Sequence, residues 1–332
     1  MKKEGFIFML NSFTLAGFTI ESNFKLRTYA TIPATNVQMP LTIINGNNDG
    51  PIILVTAGIH GGEYPGIAAA IELGSQLKPA DINGCLILIH PVNIQAFWSR
   101  SPEIVPEDGK NLNREFPGNP SGTLAQKTAY YIAHEFQQQA DFYIDMHSGD
   151  IHEELQPYVY YPGNSTTEIT NKSREIAKVL DVEYMVCSFA TTGAYNHAAL
   201  NGTPSILIER GGNGLCLRKD IDAYKNDIMH ILEKLNMLAF PIQTPKRHDC
   251  TPKEIVNMQY IPALSKACWV HNLHSRDRIK KGEVLGSATD LFGTLLQTYY
   301  AEQDGVILYV TSSLAVTPGT ILVAYGKEEL DT

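Results

Sequence analysis

Apolar residues in this chain come in short unbroken runs, and most runs lead into a segment with helical spacing. "PIILVTAG" at 51–58 is apolar at nearly every position, the pattern of a strand covered on both faces. "GEYPGIAAAIELGSQL" follows, and its Ile67, Ala70, Ile71 and Leu77 predict the apolar side of a helix. The alternation recurs. "GCLILIHPVN" predicts a strand ending at His90, and "TLAQKTAYYIAHEFQQQ" predicts a helix. "FYIDMHSG" predicts a strand ending at His147, and "PYVYYP" at 157–162 a further one. The segment 165–180 reads as a helix capped by Ser165 or Thr166. "PSILIERGGNG" predicts a strand ending at Glu209, before a last helix from about Asp220 to Leu238. Upstream, alternating stretches around Thr14–Glu21, Lys25–Ala30 and Gln38–Ile44 predict strands riding at a sheet edge, with "GNNDG" at 46–50 as a turn.

Strands alternating with helices at this spacing predict an α/β sandwich with a mainly parallel central sheet. In such sheets ligands gather beyond the carboxyl ends of the strands. Past residue 240 the pattern changes. Pro241, Pro245 and Pro252 stand in a polar setting and mark a linker. From 278 on, short strands are punctuated by KG, FG, DG and PG turns with no helical period, and 267–272 adds one more strand. The expected organisation is an α/β domain over 1–245, a linker over 246–262 and a small all-β domain over 263–332.

Composition narrows the function. At 332 residues the chain can bury a large core and still carry an appendage. The formal charge of −9, with no long Lys/Arg cluster, argues against nucleic acid but leaves room for a locally positive pocket and an anionic substrate. Five cysteines without a CxxC pair read as reduced thiols of a cytoplasmic protein. No 18-residue apolar run is present, so no membrane span is expected. Phe6–Leu10, behind Lys2 and Lys3, is too short for a secretory signal.

Candidate chemistry sits at the predicted strand ends. His60 and Glu63 lie in "GIHGGEYPG" after the strand 51–58, His147 in "DMHSG", and Glu209 closes its own strand. Two imidazoles and a carboxylate are a common catalytic zinc set that leaves a position for water. Gly58, Gly61 and Gly62 permit the tight backbone path this spacing needs. Glu209 is then free to move a proton. Taken alone, an H-x-x-E pair is also a common surface pair; the glycines and the strand-end placement favour a metal. In the polar loop "RSPEIVPEDGKNLNREFPG", Arg114 suits a carboxylate, Asn113 can donate beside it, and Arg100 can hold a second acidic group or polarise a carbonyl. The alternative for Arg114 is an ion pair with Glu115 or Glu107 that only ties down the loop. Tyr195, in "TTGAYNHAAL", can point a hydroxyl into the pocket, and His90 is a structural histidine or a second cleft residue.

"GIHGGEYPG", "DGKNLNREFPG", "DMHSG" and "ILIERGGNG", in that order, resemble the succinylglutamate desuccinylase/aspartoacylase family, related to the zinc carboxypeptidases. The resemblance implies a three-layer zinc-carboxypeptidase-like domain followed by a small barrel-sandwich-like β unit. It implies one zinc per chain held by His60, Glu63 and His147, with Glu209 as general base and acid. It places the substrate carboxylate on Asn113 and Arg114, and the oxyanion on Arg100. Many relatives have an Asp where this chain has Asn111, accepting a hydrogen bond from the first zinc histidine. The tail also resembles lipoyl-type domains, but "EQDG" at 302–305 replaces the cofactor-bearing lysine.

The expected reaction is hydrolysis of the amide of a small N-acyl amino acid. A carboxypeptidase, amidase or esterase acting on another carboxylate-bearing substrate shares every one of these residues. A non-catalytic ligand-binding protein would not need the complete set. No nucleic-acid or membrane partner is expected, and a homo-oligomer is compatible with the sequence.

Overall fold

The computed structural model describes residues 12–240 and 251–329. The Phe6–Leu10 stretch, Cys250, and Pro241 and Pro245 of the expected linker lie outside them. Each of the principal apolar runs forms the strand its pattern predicts: Ile52–Ala57, Cys85–Ile89, Phe142–His147 and Ser205–Glu209. These four lie side by side in parallel, in the order Cys85–Ile89, Ile52–Ala57, Phe142–His147, Ser205–Glu209.

Alternate residues of these strands serve two separate cores. Ile53, Val55 and Ala57 pack with Leu86, Leu88, Ile144 and Met146 beneath helices Tyr64–Gln76, Thr167–Ala177 and Arg218–Lys234. Ile52 and Leu54 face the other way, with Ile87, Tyr143 and Leu207, toward helices Leu124–Tyr131 and Ala194–Leu200. This is a three-layer build in which every residue of a continuous apolar strand is buried. In the first helix Ile67 and Ala70 are buried as expected, whereas Ile71 is half exposed and Leu73 takes the inner position. Thr166 is the residue that caps Thr167–Ala177, its Oγ1 accepting from Ile169 N at 3.3 Å.

The expectation of a mainly parallel sheet needs correcting. Among the described residues thirteen strands form one mixed sheet. Parallel pairing is confined to the central four strands and to a second block, Tyr158–Pro162, Tyr184–Ser188 and Lys253–Pro262. The two blocks meet through an antiparallel pair, Tyr158–Pro162 against Ser205–Glu209. On the other side Gln38–Asn45 and Phe24–Thr31 add antiparallel edge strands. Ser12–Leu15 and Phe18–Glu21 pair with each other as a hairpin that packs against this edge, Leu15 and Ile20 meeting Met39, Leu41 and Ile43, without joining its ladder.

The described part of the expected linker carries a strand. Lys253–Pro262 is a ten-residue strand, parallel to Tyr184–Ser188 on one side and antiparallel to Ile321–Glu328 on the other. Pro252 precedes it and Pro262 ends it, positions where a missing N–H breaks no interior ladder. The C-terminal strands Gly305–Thr311 and Ile321–Glu328 therefore extend the large sheet. They also cover a four-stranded sheet that includes Val284–Thr289 and Leu295–Tyr300. Trp269, Leu285, Tyr299, Ile307 and Leu322 fill the space between them, which gives the small β unit its own core.

Candidate metal and substrate site

The Ile52–Ala57 strand runs out into Gly58, whose φ of +73° is a left-handed turn that glycine adopts without strain. At Gly61 a Cβ would lie 2.3 Å from the backbone at Ala96 and Phe97. The tight path that follows sets His60 and Glu63 above the sheet, with Pro65 in the first turn of the helix Tyr64–Gln76. His147 is the last residue of its strand and stands opposite Glu209 in the parallel pairing. Tyr224 locks that end from below, its hydroxyl hydrogen-bonded to the carbonyls of His147 and Ile208. Arg210, next along the chain from Glu209, is buried on Asp227 through contacts of 2.6 and 3.0 Å.

His60 Nδ1 lies 2.7 Å from Glu63 Oε1, and His147 Nδ1 lies 3.0 Å from Glu63 Oε2. One ligand atom from each of the three residues falls within 4.8 Å of the others. The outer nitrogens are already committed. His60 Nε2 is 3.1 Å from Asn111 Oδ1, and His147 Nε2 is 3.1 Å from Asp145 Oδ2. An amide oxygen and a carboxylate only accept, so both Nε2 atoms carry a proton, and Nδ1, the nitrogen of each ring that faces Glu63, is the one a cation can take in place of a proton. Two imidazole Nδ1 atoms and a carboxylate converge there, a donor set that suits a cation. His60, Glu63 and His147 thus fit a metal ion.

Asn111 serves despite being an amide. Its Nδ2 donates to Glu103 Oε2 at 2.8 Å, which leaves Oδ1 turned toward His60. The same oxygen accepts from Asn113 N at 2.9 Å. Glu103 is the reason a neutral side chain can hold the orientation. Asp145 was not singled out in the sequence, although it sits two positions before His147 in "DMHSG", on the same side of the strand.

The charges follow from the geometry. Burial works against ionised Glu63, but the two imidazoles outweigh it and bring its carboxyl down to about 2. Burial likewise opposes protonated His147, yet Asp145 and Glu63 raise it well above the usual histidine range. Glu209 is pushed well up by burial, with His147 pulling it down and Glu63 and Glu153 pushing it further up. Its Oε2 is buried and has no hydrogen-bond partner among the described residues.

These groups open on one cavity of about 900 Å³. Asn113, Arg114, Tyr195 and Glu209 line it together with the three metal-fitting residues. Asn113 Oδ1 accepts from Ala194 N at 2.8 Å, so its amide group is fixed with Nδ2 left to donate. Arg114 has no ion pair among the described residues, because Glu115 is taken by Lys110 at 3.1 Å. It lies near Tyr260 and Tyr309, whose hydroxyls burial holds above the usual tyrosine range while the Arg114 guanidinium pulls weakly the other way. Arg100 is not among the lining residues. It ends the helix Ile94–Ser99 in a left-handed conformation at the surface. His90 is buried away from the cavity, with Nε2 3.4 Å from Thr42 Oγ1.

The sequence reading missed part of the wall. Glu103, Asp150 and Glu153 line it, and Arg114 is the cavity's only Lys or Arg among the described residues. Burial, with Asp150 and Glu63 nearby, pushes Glu153 up to about 8. Tyr260 and Tyr309 come from the strands Lys253–Pro262 and Gly305–Thr311, and Tyr260 Oη is 3.1 Å from Tyr160 Oη. No signal in the sequence placed these late residues in the same pocket as His60.

A mixed sheet that presents a His–Glu–His donor set and a buried carboxyl at adjacent strand ends is suited to metal-assisted hydrolysis. A model of the succinylglutamate desuccinylase/aspartoacylase catalytic domain matches residues 49–235, and the chain belongs to that family. It is 27% identical over 285 residues to the N-alpha-acetyl-L-2,4-diaminobutyric acid deacetylase of Halomonas elongata, covering 82% of this chain and 80% of that one. Among solved structures it resembles a succinylglutamate desuccinylase/aspartoacylase from Rhodobacter sphaeroides, with a TM-score of 0.82 at 23% identity over 92% and 96% of the two chains. The product-bound ectoine utilization protein EutE (DoeB) of Ruegeria pomeroyi gives a TM-score of 0.80 at 22% identity over 91% and 95%. No described helix is long and apolar enough to cross a membrane.

Proposed function

We propose that the protein is a zinc-dependent hydrolase that releases the acyl group of a small N-acyl amino acid. The observation that carries this reading is the convergence of His60, Glu63 and His147 beside Glu209 in a cavity that also holds Arg114. His60, Glu63 and His147 would hold the zinc, which when bound supplies an activated water and polarises the acyl carbonyl. Arg114, with Asn113 beside it, docks the substrate carboxylate through charge-assisted hydrogen bonds. Tyr195 shapes the pocket next to them. Glu209 accepts the proton of the attacking water and passes it to the departing amine, and its burial favours that second, protonated state. Arg100 is exposed and outside the lining, so the oxyanion role that the resemblance gave it has no support in the geometry.

The acidic wall narrows the amino acid. Glu103, Asp150 and Glu153 face the cavity without a lysine or arginine between them. A carboxyl raised as far as Glu153 gains most from a cation brought beside it. An amino acid with a cationic side chain suits this wall, and the Halomonas relative is named for such a compound, a diaminobutyric acid derivative.

The test is hydrolysis of a panel containing N-acetyl-2,4-diaminobutyrate, N-acetylornithine, N-acetylaspartate and N-succinylglutamate, with and without a chelator. Release of the free amino acid is expected, fastest for the cationic members, abolished by the chelator and restored by zinc. Turnover of the acidic members alone would reject the reading of the wall; no turnover of any member would reject the deacylase reading. Arg114→Ala should raise KM about 10–100-fold, the value of a hydrogen-bonded charge contact, with a smaller change in kcat. An unchanged KM would remove Arg114 from the carboxylate site.

A further inference from the structure

Behind His147 a line of buried polar side chains crosses the sheet and ends at the opposite layer. His197 Nδ1 is 2.9 Å from Gln137 Oε1. Gln137 also hydrogen-bonds the hydroxyl of Tyr143, which burial holds well above the usual tyrosine range. The Tyr143 hydroxyl is 2.6 Å from Thr56 Oγ1, and Thr56 Oγ1 donates to Asp145 Oδ1 at 2.7 Å. Asp145 Oδ2 meets His147 Nε2 at 3.1 Å. Thr56, Tyr143 and Asp145 are fully buried, and Gln137 is nearly so.

The hydrogens in this line run toward Asp145. Thr56 has a single proton and gives it to Asp145, which leaves the Tyr143 proton for Thr56 Oγ1 or for Asp145 itself. Gln137 has two amide hydrogens; one goes to Ala194 O at 3.0 Å and the other is available to Tyr143. Its Oε1 is then the acceptor for His197 Nδ1–H. Every donor points toward Asp145, which accepts on both oxygens. With Asp145 fixed as acceptor, His147 keeps a proton on Nε2, and Nδ1, the nitrogen beside Glu63, is the one left for a metal.

We propose that Tyr143 and Thr56 are positioning residues that set the orientation of Asp145, and through it the metal-binding nitrogen of His147. The inference rests on the reading that His60, Glu63 and His147 hold a metal. Without the Tyr143 hydroxyl the Thr56 rotor loses the donor that fixes its direction, and Asp145 loses a constraint on one oxygen. Without the Thr56 hydroxyl Asp145 loses that bond outright. Both changes loosen His147 while leaving all three ligands in the chain.

The experiment measures zinc affinity of the metal-free protein by competition with a chromophoric chelator, alongside its thermal unfolding. Outer partners of metal ligands typically contribute about 10–100-fold in affinity. Thr56→Val is expected to weaken zinc binding about 10-fold, and Tyr143→Phe by a few-fold to about 10-fold. Thr56→Ser, which keeps the hydroxyl, should stay close to wild type even if packing loss lowers its unfolding midpoint. If Tyr143→Phe and Thr56→Val bind zinc as tightly as wild type and change only stability, the line is ordinary core packing and the proposal fails. Should Tyr143→Phe not fold, the Thr56→Ser and Thr56→Val pair decides alone. A wild-type protein that binds no zinc would overturn the metal reading itself, a result distinct from the first.

Discussion

Glu209→Gln is expected to lower kcat by about 10²–10⁴-fold, the range general acid–base groups contribute, while zinc still binds at wild-type stoichiometry. The amide keeps the size of the carboxyl and cannot carry the proton. Glu209 is not one of the three converging ligands, so its loss leaves the donor set complete. Its position at the end of Ser205–Glu209, opposite His147, is fixed by strand pairing and by the Arg210–Asp227 pair behind it, neither of which the substitution touches. Substrate KM should change little, because the docking groups lie on the separate segment carrying Asn113 and Arg114. Parallel measurements of kcat, KM and metal content check this. A variant with kcat within a few-fold of wild type would assign the proton transfer to another group, with Glu153 next in line.

His147→Ala should lose stoichiometric zinc and, with it, turnover, a larger effect than the roughly 10–100-fold that removal of an outer partner produces. The substitution takes away one of two imidazoles and leaves Glu63 with His60 and the Ser148 N–H. It also leaves one oxygen of the buried Asp145 carboxylate unpaired, with Thr56 still on the other, so stability should fall as well. Metal analysis of the purified variant, with unfolding monitored by circular dichroism, separates the two effects. Zinc retained at one per chain would mean that the donor set lies elsewhere.

The strand-end logic made most of the site legible. Unbroken apolar runs announce buried parallel strands, and the polar residue after each run is where chemistry collects; that placed His60, His147 and Glu209 before any coordinates. Arg114 and Asn113 stood out for residue type in a long polar loop. Arg100 stood out for the same reason and has no place in the cavity, because type alone does not say where a side chain at a helix end projects. The antiparallel join between the two parallel blocks was not legible, since a strand's apolar pattern carries no direction. Nor was the strand Lys253–Pro262, whose half-buried residues follow prolines and look like a connection. Asp145 was hidden by its own burial: inside an apolar run it reads as a lapse in the pattern, when it holds the His147 ring.

The sharing of one sheet by early and late strands has a consequence for biosynthesis. Residues 49–235, which carry all the metal-fitting groups and Glu209, leave the ribosome before Lys253–Pro262 and well before Ile321–Glu328. Until those arrive, Tyr184–Ser188 has an unpaired edge, a template for pairing with another chain. The pocket meanwhile lacks Tyr260 and Tyr309. The last stretch of translation therefore both seals the nascent sheet against misassociation and completes the wall of the cavity.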